Sequence, residues 1–241
     1  MQLFYTPDVN PANPQYLLNE EESKHCVRVL RLVNGEDVRL IDGRGGFYAA
    51  RILDAHPKRT LLQVLSVQTE FNKRNHYLHL AVAPTKNIER MEWLLEKATE
   101  IGVDEVSFLV CQRSERKELK LDRLNKIVTA AVKQSIKAYV PILNEPVAYS
   151  QFIRRSFAGQ LFIAHCEDGE KTSLRSELKQ GSHYLILIGP EGDFSSNEIA
   201  DALTPPAPQF TLGPSPSNFF LQDVEKAVDR VLEKNSGTGA S

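Results

Sequence analysis

The sequence predicts a two-domain α/β protein, with a small β domain over residues 1–72 followed by an α/β domain over 73–241. Three observations carry that expectation. The chain has 241 residues, more than the roughly 100–200 of one typical domain. Up to about residue 70, apolar residues alternate in short stretches separated by turn residues. Beyond residue 76, unbroken apolar runs alternate with segments of helical periodicity, the pattern of a sheet covered by helices.

In the first part, Val38-Arg39-Leu40-Ile41 alternates, Asp42-Gly43 and Gly45-Gly46 supply a turn, and Phe47 to Leu53 resumes the strand pattern. A small β barrel or sandwich follows. The polar stretch Gln68 to His76, with Asn72-Lys73-Arg74-Asn75 inside it, marks the domain boundary. Tyr77 to Val82 then reads as a strand, and Met91, Leu94, Leu95, Ala98 and Ile101 recur at helical spacing until Gly102 stops the helix. Val103 to Cys111 is the next strand, and Leu121, Leu124, Ile127, Ala131 and Ala138 mark a second amphipathic helix. Leu161 to Ala164 and Tyr184 to Ile188 are apolar runs of the kind buried on both faces of a parallel sheet, giving the order β-α-β-α-β-β-α-β-α. Asn235 to Ser241 reads as a flexible end.

Composition narrows the functional classes. A hydrophobic fraction of 41% with 25% charged residues describes a globular chain and excludes disorder as its main state. With 29 basic and 31 acidic residues the net charge is -2, so any nucleic-acid binding must come from a local basic face. No window approaches the ~18 consecutive apolar residues of a membrane span, and no secretory apolar core follows Met1, so a cytoplasmic protein is expected, without a membrane partner. Cys26, Cys111 and Cys166 are odd in number and form no C-x-x-C pair, which predicts reduced thiols and no structural zinc site.

The segment Leu185 to Glu198 is the most informative for chemistry, because a buried strand there runs into a tight turn and then a helix. Ligands of open α/β sheets sit just beyond the carboxyl ends of strands, where such turns expose backbone groups. Gly189 and Gly192 permit close backbone approach, Pro190 stiffens the turn, and Ser195 with Glu198 has capping-box spacing. A plain strand-to-helix connection without a ligand explains the spacing equally well. The phosphate-loop pattern is absent from the chain.

Gly189-Pro190-Glu191-Gly192-Asp193-Phe194-Ser195 closely resembles the signature of the RsmE-type ribosomal RNA methyltransferases, which methylate uracil N3 in small-subunit (16S) ribosomal RNA. Further blocks match in order: His25 to Arg31 with Gly35 and Asp37, Asp42 to Gly45, Lys86 through Lys97 to Val103, and Arg113 to Lys117. Gln134-Ser135 and Ala164-His165 also fall where that family has such residues, and the likeness covers residues 1 to about 214. The resemblance implies a SPOUT-type α/β domain with a trefoil knot, which pattern reasoning alone would not propose. It also implies a PUA-like RNA-binding barrel in front, a homodimer, and S-adenosyl-L-methionine as cofactor. By the same resemblance the cofactor would lie against three loops: His165 after Ala164, the turn of Ile188, Gly189, Pro190, Glu191 and Gly192, and Leu212-Gly213. Glu191 is the carboxylate nearest that pocket and the candidate catalytic residue. One departure stands out: where the family continues with an Arg-Leu-Arg run and Thr-Glu-Thr-Ala, this chain reads Pro214-Ser215-Pro216-Ser217-Asn218-Phe219-Phe220-Leu221-Gln222.

An RNA partner also fits the charge pattern. From Cys111 to Val140 there are eight basic residues against three acidic ones, and no acid occurs from Ser23 to Gly35, around Lys24, Arg28 and Arg31. Lys24, Arg28, Arg31, Arg113, Arg116 and Lys117 from these clusters, with Arg44 and Lys86 from the blocks that match the family, are the candidate RNA contacts, with solvated helix faces as the plain alternative. No DNA partner is expected. His76 and His79 read as a surface pair without a third metal ligand, His165 and Cys166 point apart as neighbours on a strand end, and Trp93 suits packing or a dimer contact. Two functions follow: an S-adenosylmethionine-dependent uracil-N3 methyltransferase acting on 16S ribosomal RNA or the small subunit, or an RNA-binding SPOUT-like protein whose altered tail leaves weak or no methyl transfer.

Overall fold

The computed structural model describes residues 1–167, 174–204 and 209–210. Leu212, Gly213, the divergent run after them and the segment expected to thread a knot lie outside the described residues. The chain divides into two units: Met1–Lys73 with Val132–Val140, and Arg74–Ala131 with the chain from Pro141 onward. The first unit thus takes back a piece of chain from the middle of the sequence.

That unit holds β1 (Leu3–Tyr5), β2 (Gln15–Leu17), α1 (Glu20–Lys24), a π-helical turn (His25–Val29), β3 (Asp37–Ile41), β4 (Phe47–Asp54) and β5 (Leu61–Gln68). The strands form one sheet in the order β1-β3-β4-β5-β2, a half-barrel in which only β1 and β3 run parallel. Period-two alternation sends Val38 and Leu40 of β3, and Tyr48, Ala50 and Ile52 of β4, to the concave side. There they pack with Phe4, Leu18, Cys26 and Leu62. The β3–β4 turn is held by Asp42, whose Oδ1 accepts the backbone N–H of Arg44 and of Gly46 while Oδ2 accepts the Tyr48 hydroxyl. The π-helical turn, closed by Leu30 N–H donating to the His25 carbonyl at 2.9 Å, buries Cys26 and leaves Arg28 exposed.

The second unit holds β6 (Tyr77–Val82), α2 (Ile88–Ile101), β7 (Glu105–Val110), most of α3 (Leu121–Gln134), β8 (Ile142–Leu143), β9 (Val147–Ala148) and α4 (Tyr149–Phe152). It continues with β10 (Gln160–Ala164), α5 (Leu174–Glu177), β11 (His183–Ile188), α6 (Ser196–Ala202) and β12 (Gln209–Phe210). The sheet is parallel throughout, in the order β12-β10-β11-β6-β7-β8, with β9 also on β7. β6 and β11 lie at its centre and are buried almost end to end, as their unbroken apolar runs require. Asn87 caps α2 by accepting the Glu89 N–H, and Gly102, at φ 118°, ends it in the left-handed conformation.

Two details depart from the sequence reading. The periodicity through Ala138 suggests a helix to that point, but α3 ends at Gln134, Ile136 takes φ 53°, and the Ala138 carbonyl instead accepts the Gly45 N–H at 2.9 Å. His79 is no surface residue either. It lies on a central strand, is 7% exposed, and has its Nε2 within 2.9 Å of the Ser107 hydroxyl. Beside it a cavity of about 220 Å³ is lined by Glu105, Phe152, Arg155 and Phe157 among others. Burial, partly countered by the Glu105 carboxylate, lowers the pKa of His79, and burial beside Arg74 brings that of His76 down to about 4.

Candidate active site

Strand order reverses between β6 and β11: the chain after β6 leads to β7 on one side, and the chain after β11 leads to β12 beyond β10 on the other. The loops leaving their carboxyl ends must therefore diverge and open a crevice, the usual place for a ligand in an open α/β sheet. Ala83 N–H still donates to the Ile188 carbonyl at 2.9 Å, which carries the pairing one rung past the strands.

The loop after β11 begins at Gly189. A Cβ there would lie 3.0 Å from the Phe194 backbone nitrogen and crowd its ring, so the packing of the turn itself favours glycine. Pro190 accepts the Asp193 N–H at 2.9 Å to close the turn, and Asp193, at φ 63°, adopts the left-handed conformation. Gly192 is different. It is exposed, its φ is ordinary, and a Cβ would meet nothing closer than Arg113 Cδ at 3.5 Å. The fold does not need glycine at 192, and a side chain there would fill space that a ligand could use. Helix α6 then starts in a full capping box: the Ser195 side chain takes the Glu198 N–H and Glu198 Oε2 accepts the Ser195 N–H at 2.9 Å.

Three neighbouring loops are pinned to this turn. Glu191 Oε1 accepts the Lys86 N–H at 2.9 Å, joining it to the loop after β6. Arg113 Nη1 donates to the Gly192 carbonyl at 2.7 Å and the Phe194 carbonyl at 3.3 Å, while Glu198 Oε1 accepts the Gln112 N–H at 2.8 Å, joining it to the loop after β7. Arg116 reaches the Thr85 and Lys86 carbonyls at 3.1 and 2.6 Å. Asp193 Oδ2 accepts the Cys166 N–H at 2.7 Å, joining the turn to the loop after β10. Lys86 Nζ pairs with Glu115 at 3.0 Å in solvent, and that carboxylate raises its pKa.

The structure thus gathers Lys86, Arg113, Arg116, His165 and Ile188 to Gly192 at one end of one sheet. Ile188 to Pro190 and His165 are buried, while Glu191, Gly192 and Cys166 are exposed, so His165 and Cys166 do point apart. Cys111, buried beneath the site, has its thiol pushed up to about 12 by burial and by the Glu198 carboxylate, which leaves it a packing residue. Lys117 is exposed in the same unit, and Lys24, Arg28, Arg31 and Arg44 are exposed on the half-barrel unit. No cluster of His, Cys, Asp and Glu able to hold a metal occurs among the described residues. Among those residues no helix is long and apolar enough to cross a membrane. Sequence reasoning missed Asp193 and Glu198 as ties between loops; the capping-box spacing of Glu198 was visible, but its long-range contact carries no local signal.

Residues 72–215 match the family model for an RNA methyltransferase domain, and residues 18–65 match the RNA methyltransferase PUA domain. The chain belongs to the RNA methyltransferase family. It is 30% identical over 193 residues to the ribosomal RNA small subunit methyltransferase E of Synechocystis, an alignment covering 77% of this chain and 62% of that protein. Among solved structures it resembles a probable rRNA-methyltransferase from Porphyromonas gingivalis, with 35% identity, TM-score 0.85 and 97% of each chain covered. A putative methyltransferase from Legionella pneumophila, in complex with the bound cofactor SAM, is 26% identical with TM-score 0.81 over 95% of each chain. The fold is therefore that of this family: a PUA-like unit and an α/β methyltransferase unit.

Proposed function

We propose that the chain is an S-adenosylmethionine-dependent methyltransferase acting on N3 of a uridine in 16S ribosomal RNA, in the cytoplasm and as a homodimer. The observation that carries this reading is the exposed turn at Gly192, where the fold itself does not require glycine, beside the strand-order reversal and among loops that Glu191, Arg113 and Asp193 hold in place. The residues fit the cofactor: the backbone from Ile188 to Gly192 and the residues around His165 form the wall, and glycine at 192 leaves the room.

When bound, S-adenosylmethionine supplies an electrophilic methyl on a sulfonium. The chain's part is to orient the uracil and to take its imide proton. Glu191 uses Oε1 to hold Lys86 N–H, so proton acceptance falls to its Oε2. The N3 atom lies on the pairing edge, so the uridine must be unpaired or flipped when it reacts. Exposed cations suited to the phosphate backbone are Lys24, Arg28, Arg31 and Arg44 on one unit and Lys86 and Lys117 on the other. Arg113 through Nη1 and Arg116 through Nε and Nη2 bond loop carbonyls and serve the RNA by shaping the site.

The test is incubation with labelled S-adenosylmethionine and either 16S RNA or small subunits, followed by nucleoside mass spectrometry. Formation of 3-methyluridine is the expected result; a different methylated nucleoside overturns the uracil-N3 assignment. The run from Pro214 to Gln222 favours a second reading, RNA binding with little methyl transfer. Replacing Pro216 to Gln222 by Arg-Leu-Arg-Thr-Glu-Thr-Ala separates the two: a large gain in turnover supports the second reading for the chain as it stands, and full activity of the unaltered chain removes it.

A further inference from the structure

We infer that Asp193 is a positioning residue that replaces the missing rung between the loops after β10 and β11 and so sets the cofactor wall; this rests on the functional reading above. The parallel pairing of β10 with β11 ends at Ala164 opposite Ile188. Beyond that pair the ladder has stopped, and two loops leaving adjacent parallel strands are free to splay. Asp193 closes the gap with one carboxylate: Oδ2 accepts the Cys166 N–H at 2.7 Å and Oδ1 accepts the Phe194 N–H at 2.8 Å. An ionised carboxylate suits both, since it only accepts and both partners only donate. The Ser196 hydroxyl donating to Glu167 at 2.6 Å adds a second tie between the same segments, exposed like the first but between two side chains.

The backbone supports a role beyond the turn itself. Asp193 stands at φ 63°, where glycine is free of strain and a carboxylate-bearing residue is not. Were the turn the only requirement, glycine would serve better. The side chain is kept at that φ together with its contact to a backbone group 27 residues earlier. The tie holds His165 and Cys166 at a fixed distance from Gly192, on the other side of the expected cofactor.

Asp193→Gly and Asp193→Asn separate this role from folding and from chemistry. Glycine relieves φ and removes both acceptors, so the melting temperature should hold or rise. Affinity for S-adenosylmethionine, read by calorimetry, should fall about tenfold, with KM rising likewise and kcat at saturation changing less than about twofold. Asparagine keeps one acceptor oxygen and tolerates the left-handed conformation, so its affinity should fall between the two. In the ligand-free protein, amide exchange at Cys166 should speed up in Asp193→Gly while Leu185 to Leu187 keep their protection. Wild-type affinity or unchanged Cys166 exchange in Asp193→Gly overturns the inference and leaves the functional reading intact. Loss of kcat in both variants at wild-type affinity also overturns it, because the carboxylate would then act in the chemistry. Failure of the wild type to bind S-adenosylmethionine overturns both.

Discussion

Glu198 reaches across 86 residues of sequence to accept the Gln112 N–H at 2.8 Å, with the same carboxylate that closes the first turn of α6. It is 9% exposed, so its carboxylate is largely shielded from water, and its bond to the Ser195 N–H is buried. Glu198→Ala leaves the Gln112 and Ser195 N–H groups short of an acceptor. It should cost about 2–4 kcal/mol in denaturant unfolding, as expected for charge-assisted bonds lost in a buried place. A loss below about 0.5 kcal/mol would mean that water replaces the carboxylate freely.

The two glycines of the turn should separate folding from binding. Gly189→Ala pushes a methyl against the Phe194 backbone and should destabilise the protein by about 1–3 kcal/mol. Gly192→Ala meets only the flexible Arg113 stem, so unfolding should stay within about 0.5 kcal/mol of wild type while S-adenosylmethionine affinity drops. Equal affinity in the Gly192 variant would move the pocket away from this turn.

Among the cations, the salt dependence of RNA binding should sort contacts from scaffold. Arg28→Ala and Lys117→Ala remove exposed charges, and each should lower the slope of log K against log salt by about 1 without altering the thermal midpoint. Arg113→Ala strips donors from the Gly192 and Phe194 carbonyls, so it should reduce cofactor affinity even without RNA. An Arg113 variant that changed only the RNA salt slope would assign that guanidinium to phosphate.

Acid should weaken the fold through histidines as well as carboxylates. The folded pKa of His76 is about 4, lowered chiefly by burial and then by Arg74, and that of His79 is lowered by burial. Protonation thus favours the unfolded chain, whose histidines titrate near 6.5. The contribution is fully present above that value and is lost as pH falls from about 6.5 towards 4. Replacing both histidines by glutamine should flatten the stability profile over that window by roughly 1–2 kcal/mol. An unchanged slope would place the acid sensitivity in the carboxylates alone.

Much of the sheet was legible because its central strands are apolar runs between turn residues, and Gly102 and the Ser195–Glu198 pair marked helix ends by local chemistry. What escaped was long-range. Alternation next to His76 made His79 look like a surface residue, yet a central strand buries both faces. Ala138 continued the helical period, but the chain had already turned at Ile136. The motif drew attention to the glycines of the turn, while the bonds joining its loops belong to Asp193, Arg113 and Glu191, whose partners lie 27, 79 and 105 residues away.

The return of Val132–Val140 to the first unit bears on how the protein is made. Gly45 N–H donates to the Ala138 carbonyl, Val140 N–H to the Gly43 carbonyl, and Lys133 pairs with Glu22 at 2.9 Å. During synthesis the half-barrel strands emerge early but cannot complete these bonds until residue 140 has left the ribosome. By then the first strands and helices of the other unit are already out. A nascent chain stalled near residue 73 should stay open to protease around the β3–β4 turn, and one stalled well past residue 140 should be protected there. Maturation of the N-terminal unit is therefore timed by the translation of a segment nearly twice as far along the message as its own last strand.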